Sequence, residues 1–471
     1  MPGAAECAYI EPARSVIKIL APGRRPLRTP RTRTMTQPEP LPSAAATPAP
    51  AEPLSRPSLP GLPDLPDSHV DAVELSGPRF QTEPAQVYRE LRQRHGPVAP
   101  VLLHGGVPAW LVLGYREVLQ VTQDAALFSR DSSLWRLWSA IPEDWPLRPL
   151  IGEKQESILF TVGEVHRKRA DAVSEALFGI DPFALRDRSE RIADTLIDGF
   201  CERGSSDLIA EYARQLPALV LAYFFGFSDS EAGEVTHSIN DMMDGAETAV
   251  ESQAAFYTAC RELVAAKREH PGADATSRLI TCSPTGSEEE IVQDLMVMFA
   301  AAHQPTAEWI GNTLRLMLTD ERFALSLSGG RRSVGWAMNE VLWEDTPSQN
   351  VAGRWPTRDT VLGGQRLHAG DLLVLGFAAA NTDPQVRPDP AVSTQGNSAF
   401  LSFGHGEHGC PMTGRESAET IARAGIEALL DRLPDVDLAV PAQDLLWRPS
   451  PWMRGLSALP VRFTPGPRTL G

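Results

Sequence analysis

Cys410 is the residue whose surroundings read as built for reactivity. It closes the run Phe403-Gly404-His405-Gly406-Glu407-His408-Gly409-Cys410 and stands directly before a stretch with helical spacing. Glycines at 404, 406 and 409 let a backbone turn tightly and approach a flat ligand closely. Loop amides and the start of the next helix would converge on the sulfur, lowering its pKa and favouring the thiolate. Such a thiolate is a soft ligand suited to haem iron, to which it donates the electron density that favours O–O cleavage. Two plainer readings compete. A buried, inert cysteine is the commoner case, yet it needs neither three glycines nor two histidines in the six positions before it. Zinc on His405, His408 and Cys410 would crowd three ligands into one loop with no matching distant pair, a poor fit to zinc spacings.

A flat cofactor bearing carboxylates needs cations to meet them and helices to enclose it. GEVHRKRADAVSEAL opens a helix carrying His166, Arg167, Lys168 and Arg169. IVQDLMVMFAAAHQPTAEWIGNTLRLML has an apolar face throughout and reads as a long core helix. Pro305 inside it removes an amide donor, frees the Ala301 carbonyl and bends the helix. Upstream, EPAQVYRELRQRHG reads as an amphipathic helix, and PVAPVLLHGGVPAWLVLGY as two β-rich runs around a Gly-Gly turn. A long irregular segment from Asp131 to Phe160 carries Trp135, Trp138 and Trp145, and segments of that length are often binding loops or lids. The chain is then helical to about Asp345, strand-like from Asp359 to Ala380, and helical again from about Thr413 to Arg432 before a short β end. The first 70 residues, rich in Pro, Ala, Ser and Thr, read as a disordered leader. Its Arg-rich stretch only superficially resembles a targeting peptide, and Met35 is a candidate start. Residues 71–471 are expected to form one domain, mainly α with a minor β region.

Phe403 to Cys410 resembles the Phe-x-x-Gly-x-x-x-Cys haem loop of the cytochrome P450 superfamily, its soluble bacterial members in particular, and the order of elements from about residue 75 to 465 is similar. The resemblance implies a cytochrome P450 fold around haem b (iron protoporphyrin IX). Cys410 would then be the axial ligand of the iron, with Phe403 packed near the sulfur and Gly404 beside the cofactor. His408 would bind a propionate, as would His166, which matches a histidine of the family at the start of a helix. The arginine usual four positions later falls on Ala170, and Arg354 lies within one residue of another propionate arginine. The family's oxygen-binding helix reads Ala/Gly-Gly-x-acid-Thr-Thr/Ser, which aligns with Ala301-Ala302-His303-Gln304-Pro305-Thr306. Ala302 keeps room for dioxygen, Gln304 replaces the acid, and Thr306, displaced by one position, is the candidate to turn inward and hold a water. Ala302, Gln304 and Thr306 are thus the candidate catalytic positions. The family's Glu-x-x-Arg pair reads Glu340 and Trp343, so Glu340 needs another partner, Arg387 or a backbone donor. An actinomycete subgroup also lacks that arginine, and this chain is similar to it. Met412 replaces a usual glycine and is expected to crowd the proximal side.

The 471-residue chain is 42% hydrophobic, enough for a large core, and its formal charge of −16 argues against a nucleic-acid partner. Five cysteines without scaffold spacing suit a reducing, cytoplasmic setting. No run of about 18 apolar residues is present, so no membrane anchor is expected. The resemblance implies a monooxygenase that inserts one atom of O2 into a small, mostly apolar substrate, with electrons from a ferredoxin and ferredoxin reductase that dock near Arg167 and Lys168. The alternatives are a peroxide-driven haem oxidase and a non-catalytic haem sensor.

Overall fold

The computed structural model describes residue 59 and residues 62–151, 156–320, 323, 332–389, 392, 394 and 396–469. They fall in one compact unit spanning Arg56–Gly471, and the preceding unit, Met1–Ser55, lies outside the described residues. In chain order the helices are α1 (Pro78–Thr82), α2 (Pro84–His95), α3 (Tyr115–Gln123), α4 (Arg148–Ile151), α5 (Gly163–Phe178), α6 (Pro182–Asp198) and α7 (Gln215–Phe225). There follow α8 (Asp229–Asp244), α9 (Ala249–Glu269), α10 (Ala275–Cys282), α11 (Glu288–Thr319), α12 (Arg332–Glu344), α13 (Phe377–Asn381) and α14 (Met412–Arg432). The strands are β1 (Val73–Glu74), β2 (Val98–Leu103), β3 (Val107–Val112), β4 (Phe128–Ser129), β5 (Ser205–Asp207), β6 (Val351–Pro356), β7 (Thr360–Leu362), β8 (Gln365–Leu367), β9 (Leu373–Leu375), β10 (Asp437–Leu438) and β11 (Pro460–Arg462). This is the mainly helical architecture with a minor β region that the sequence predicts. No helix among the described residues is long and apolar enough to cross a membrane.

Local chemistry explains where the long helices begin. Ser287 accepts from the Glu290 amide while Glu290 reaches back to the Ser287 amide, a capping box that starts α11. Ser228 and Glu231 do the same for α8. From Ile291 to Met317 most side chains of α11 are buried, and it packs against α7, α9, α12 and α14. The helix runs through Pro305 as one assigned element. A six-stranded sheet in the order β1-β2-β3-β9-β6-β4 covers the other side of the molecule, with β2 and β3 antiparallel (Val98 opposite Val112) and β3 and β9 parallel (Trp110 opposite Leu373).

Three expectations are corrected in detail. The packed unit starts before residue 71: the Leu59 amide donates to the Gly105 carbonyl (2.8 Å), and His69 is buried with Nε2 3.0 Å from the Ala109 carbonyl and its ring edge-on to Trp110. The Pro-rich composition hid these anchors, because a few apolar contacts suffice to hold an extended segment against a sheet edge. Residues 1–58, including Met35, lie outside the described residues. The strand character expected as far as Ala380 ends at Leu375, and Phe377–Asn381 is helical. Trp135 and Trp145 in the long irregular segment are core residues, 3% and 1% exposed, and tilt against each other at 6.0 Å. Their packing makes that segment part of the sheet-side core, with the half-buried Trp138 under Arg148 at its rim.

Glu340 is fully buried, and its partners come from the irregular run after α13. Thr394 donates its hydroxyl to one carboxylate oxygen, and the Arg387 guanidinium lies 3.4 Å from the other while also bonding Glu344 at 2.8 Å. Trp343 takes the neighbouring position with its indole N–H on the Asn397 carbonyl (3.0 Å) and its ring edge-on to Phe400. A long-range cation thus replaces one on the same helix. Removing it strands a buried carboxylate, so Arg387→Ala should cost about 3–5 kcal/mol, read as a fall in the denaturant midpoint of unfolding. Arg387→Lys should lose less.

Candidate functional site

The loop before α14 is closed by its own backbone. The Gly404 amide donates to the Leu401 carbonyl (2.8 Å), the Gly409 amide to Gly406 (3.0 Å), and the Cys410 amide to Phe403 (2.8 Å). Gly406 has φ +73°, and a Cβ there would lie 2.3 Å from the Thr122 carbonyl oxygen, so only glycine fits. His405 holds the same corner through Thr122 Oγ1 (3.1 Å). Phe403 stacks edge-on against Trp309 of α11 with centroids 5.8 Å apart, and the Arg415 guanidinium lies over both Phe403 and Phe400. The sequence-predicted Phe403, Gly404, His408 and Cys410 therefore belong to one pinned loop joined to the central helix.

Cys410 keeps an accessible face while protein crowds its sulfur. Burial pushes the thiol up to about 11, against a smaller downward pull from Arg415. This corrects the expected thiolate. The Gly404, Gly409 and Cys410 amides are spent closing the loop, and among the described residues no group donates to the sulfur. Deprotonation is left to a metal ion, which removes the proton from a coordinating thiol outright. Met412, the residue expected to crowd the proximal side, is 66% exposed. Room beside the sulfur comes from Gly414, where a Cβ would sit 3.3 Å from Sγ.

Beside the loop lies buried positive charge. His166 on α5 and His408 stack with ring centroids 3.9 Å apart; His166 Nε2 is 2.9 Å from the Glu407 carbonyl and His408 Nε2 2.9 Å from the Thr161 carbonyl. Arg354 on β6 and Arg130, just after β4, are each 4% exposed. Arg130 donates to the carbonyls of Leu159, Ala352 and Gly353. Neither arginine meets a carboxylate among the described residues. Burial first, then Arg130, Arg354 and His166, drive His408 down to about 2; burial and Arg130 lower Arg354 as well. Sequence reasoning missed Arg130, although it is the only cation between residues 117 and 135. Two buried guanidiniums and two imidazoles without an anion are costly alone. With an accessible thiol and glycine turns alongside, the donor set fits a flat metal complex bearing two carboxylates. The other cations of α5 do not join this set. Lys168 pairs with Glu164 in solvent, Arg167 lies 3.5 Å from the exposed Glu407, and Arg169 turns inward to Asp294 of α11 (2.9 Å).

On α11, Ala301 is exposed and Ala302 and Pro305 half-buried amid otherwise buried neighbours, so a stripe of small side chains faces open space. The polar residues of this turn are engaged elsewhere. Thr306 donates its hydroxyl to the Ala302 carbonyl (2.6 Å), the back-bond a helical threonine makes, in place of the inward rotation expected of it. Gln304 is buried between Asn240 and Arg448. His303 is buried with Nε2 3.2 Å from the Arg214 carbonyl, and burial pushes it down to about 4, helped by Arg448 and Arg214.

No family model matches the chain. It is 30% identical over 385 residues to Cytochrome P450 107B1 of Saccharopolyspora erythraea, covering 79% of this chain and 94% of that protein. To the Vitamin D(3) 25-hydroxylase of Pseudonocardia autotrophica it is 29% identical over 404 residues, covering 84% and 97%. Its fold matches the solved structure of CYP154C4 from Streptomyces sp. W2061 with a TM-score of 0.76 at 28% identity, covering 84% of this chain and 98% of that one.

Burial keeps His303 neutral in the folded protein at pH values where the unfolded chain protonates it. Its folded pKa is depressed, so the associated stability is whole above about 6.5 and is lost as pH falls toward about 4. Unfolding measured between those pH values should show His303→Gln losing about 3 kcal/mol less than the parent. Equal pH slopes would contradict a neutral buried imidazole.

Proposed function

Since the chain belongs to the cytochrome P450 superfamily and is a haem-dependent monooxygenase, we propose that it inserts one oxygen atom of O2 into a small, mostly apolar substrate. Haem b is the cofactor in this reading, and a ferredoxin with its reductase supplies electrons in the cytoplasm. The catalytic unit is the packed domain without its Pro- and Ala-rich leader. When bound, the haem supplies O2 activation: two electrons and two protons are consumed, one oxygen atom enters the substrate and the other leaves as water.

The protein's own part follows from its residues. Cys410 is the sulfur ligand of the iron, held out by the closed loop while Phe403 and Gly404 shape its surroundings. Arg354, His166 and His408, joined by Arg130, answer the two carboxylates. The observation that carries the reading is this buried cation set beside an accessible sulfur. Ala302, with Ala301, leaves space on the distal side where a larger side chain would fill it. Exposed Arg167 and Lys168 support docking of an acidic electron donor through complementary potential. The name of the Pseudonocardia relative, a vitamin D(3) hydroxylase, supports hydroxylation of a small molecule.

A second reading, peroxide-driven oxidation, is favoured by one observation: Gln304 and Thr306, at the positions of the family's proton relay, both have their polar groups engaged. Gln304 has no acidic proton to give.

Two experiments test these readings. The reduced protein should give the carbon monoxide difference spectrum of a thiolate-bound haem, and Cys410→Ser should abolish it while the chain stays folded by circular dichroism. Protein that stays colourless after addition of hemin would refute the assignment. With the Thr306 hydroxyl spent on the Ala302 carbonyl, Thr306→Ala should slow reductase-driven turnover less than about tenfold. A loss of a hundredfold or more, typical for removing a proton-transfer group, would restore Thr306 to the relay.

A further inference from the structure

Gln304, Arg448, Asn240 and Asp244 form a connected set of hydrogen bonds where α8, α11 and the C-terminal segment meet. Asn240 and Asp244 stand one turn apart on α8. The Gln304 carboxamide N–H donates to Asn240 Oδ1, and its oxygen accepts from Arg448 Nη1 at 2.8 Å. Arg448 in turn donates through Nε to Asp244 at 2.7 Å and pairs with Glu308, one turn beyond Gln304. Arg448 is 1% exposed, so these contacts are made away from bulk water. The same segment holds α8 a second time, through the Ser450 hydroxyl on the Met243 carbonyl.

The set demands one kind of side chain at position 304. As Asn240 is oriented, residue 304 donates toward it and accepts from Arg448, both of which a carboxamide does; a carboxylate would only accept, and Asn240 would have to turn to meet it. A glutamate would also be the third carboxylate around a single guanidinium already shared by Asp244 and Glu308. On the other side of the set, α8 and α9 are braced together, since Asp241 accepts from both Thr248 and Ser252. Between them α8 ends at Gly245 in the left-handed region, φ +63°. Met243 packs on both large hydrophobic clusters, and the contact of Asn240 with Gln304 lies two positions along α11 from Ala302, so lifting the end of α8 would uncover α11 beside the open stripe.

We propose that Gln304 and Arg448 form a latch that seats the α8–α9 hairpin on α11, and that residue 304 governs ligand entry and release as a positioning residue instead of carrying protons. The ligand part of this inference rests on the proposed haem monooxygenase; the latch itself does not.

The test uses full-length haem-loaded protein and compares the parent with Gln304→Glu, Asp244→Asn and the double variant. Amide hydrogen exchange in residues 241–250 should quicken about ten- to a hundredfold in each single variant, the range expected for losing a hydrogen bond to a charged group. Release of 4-phenylimidazole, an azole that binds haem iron directly, should quicken with it while the carbon monoxide spectrum is kept. The double variant again sets two carboxylates against one guanidinium and should recover most of the protection, a rescue that general loosening would not produce. Unchanged exchange in both single variants overturns the latch. So does a Gln304→Glu variant with parental exchange and better coupling of electrons to product, which would make position 304 a proton carrier. Failure of the parent to show the carbon monoxide spectrum would instead remove the haem reading, leaving the exchange result to judge the latch alone.

Discussion

Buried positive charge without a protein counter-ion is the constraint around which this molecule is organised. Arg130 and Arg354 come from segments more than two hundred residues apart, yet both sit beside the stacked His166 and His408, with no carboxylate among the described residues to answer them. Burial first, and then the neighbouring guanidinium charge, depress the pKa values of His408 and Arg354. In the proposed reading, a dicarboxylate cofactor is the partner that offsets this cost on binding. The same consideration bears on the sulfur. Burial raises the Cys410 thiol to about 11, and in the proposed reading a coordinating metal would take its proton.

Where the chain departs from its family's pattern, other contacts carry the load. Glu340 lacks an arginine one turn along α12, but Arg387 and Thr394 arrive from a distant irregular segment. The space left by that arginine is filled by Trp343, whose indole N–H finds a carbonyl of the segment that leads into the cysteine loop. At 412, where the family has a glycine, the side chain is exposed, and Gly414 stands next to the sulfur. Each case shows one requirement met by different residues: a satisfied buried carboxylate, a braced loop, free space by the Cys410 sulfur.

Position 304 is the exception, because its replacement changes what the position can do. A carboxamide donates and accepts at once, and here it does both toward fixed partners, 64 and 144 positions away in the chain. Together with the Thr306 back-bond, this removes the two side chains a sequence comparison would assign to proton handling and gives one of them to the seating of α8. Access and chemistry are then linked through a single helix, α11, which bears the open stripe on one side and the Arg448 contacts on another.

What was legible in the sequence is what short-range rules determine. The Gly-rich loop ahead of Cys410, the helix that follows, the long apolar helix with Pro305 and the mainly α class all rest on turn chemistry and hydrophobic period. Even the need of Glu340 for a new partner was readable, with Arg387 named as a candidate. Other outcomes depended on groups far apart in the chain. Arg130 joins the site because β4 pairs with β6, Trp135 and Trp145 are core because the sheet closes over them, and Gln304 becomes a link because Arg448 happens to face it. The raised pKa of Cys410 turned on how the closed fold crowds its sulfur, which composition does not encode. Local pattern specifies which elements form. Only the closed fold decides which charges meet and how much water is left between them, and on those two quantities the electrostatics of a buried site depend.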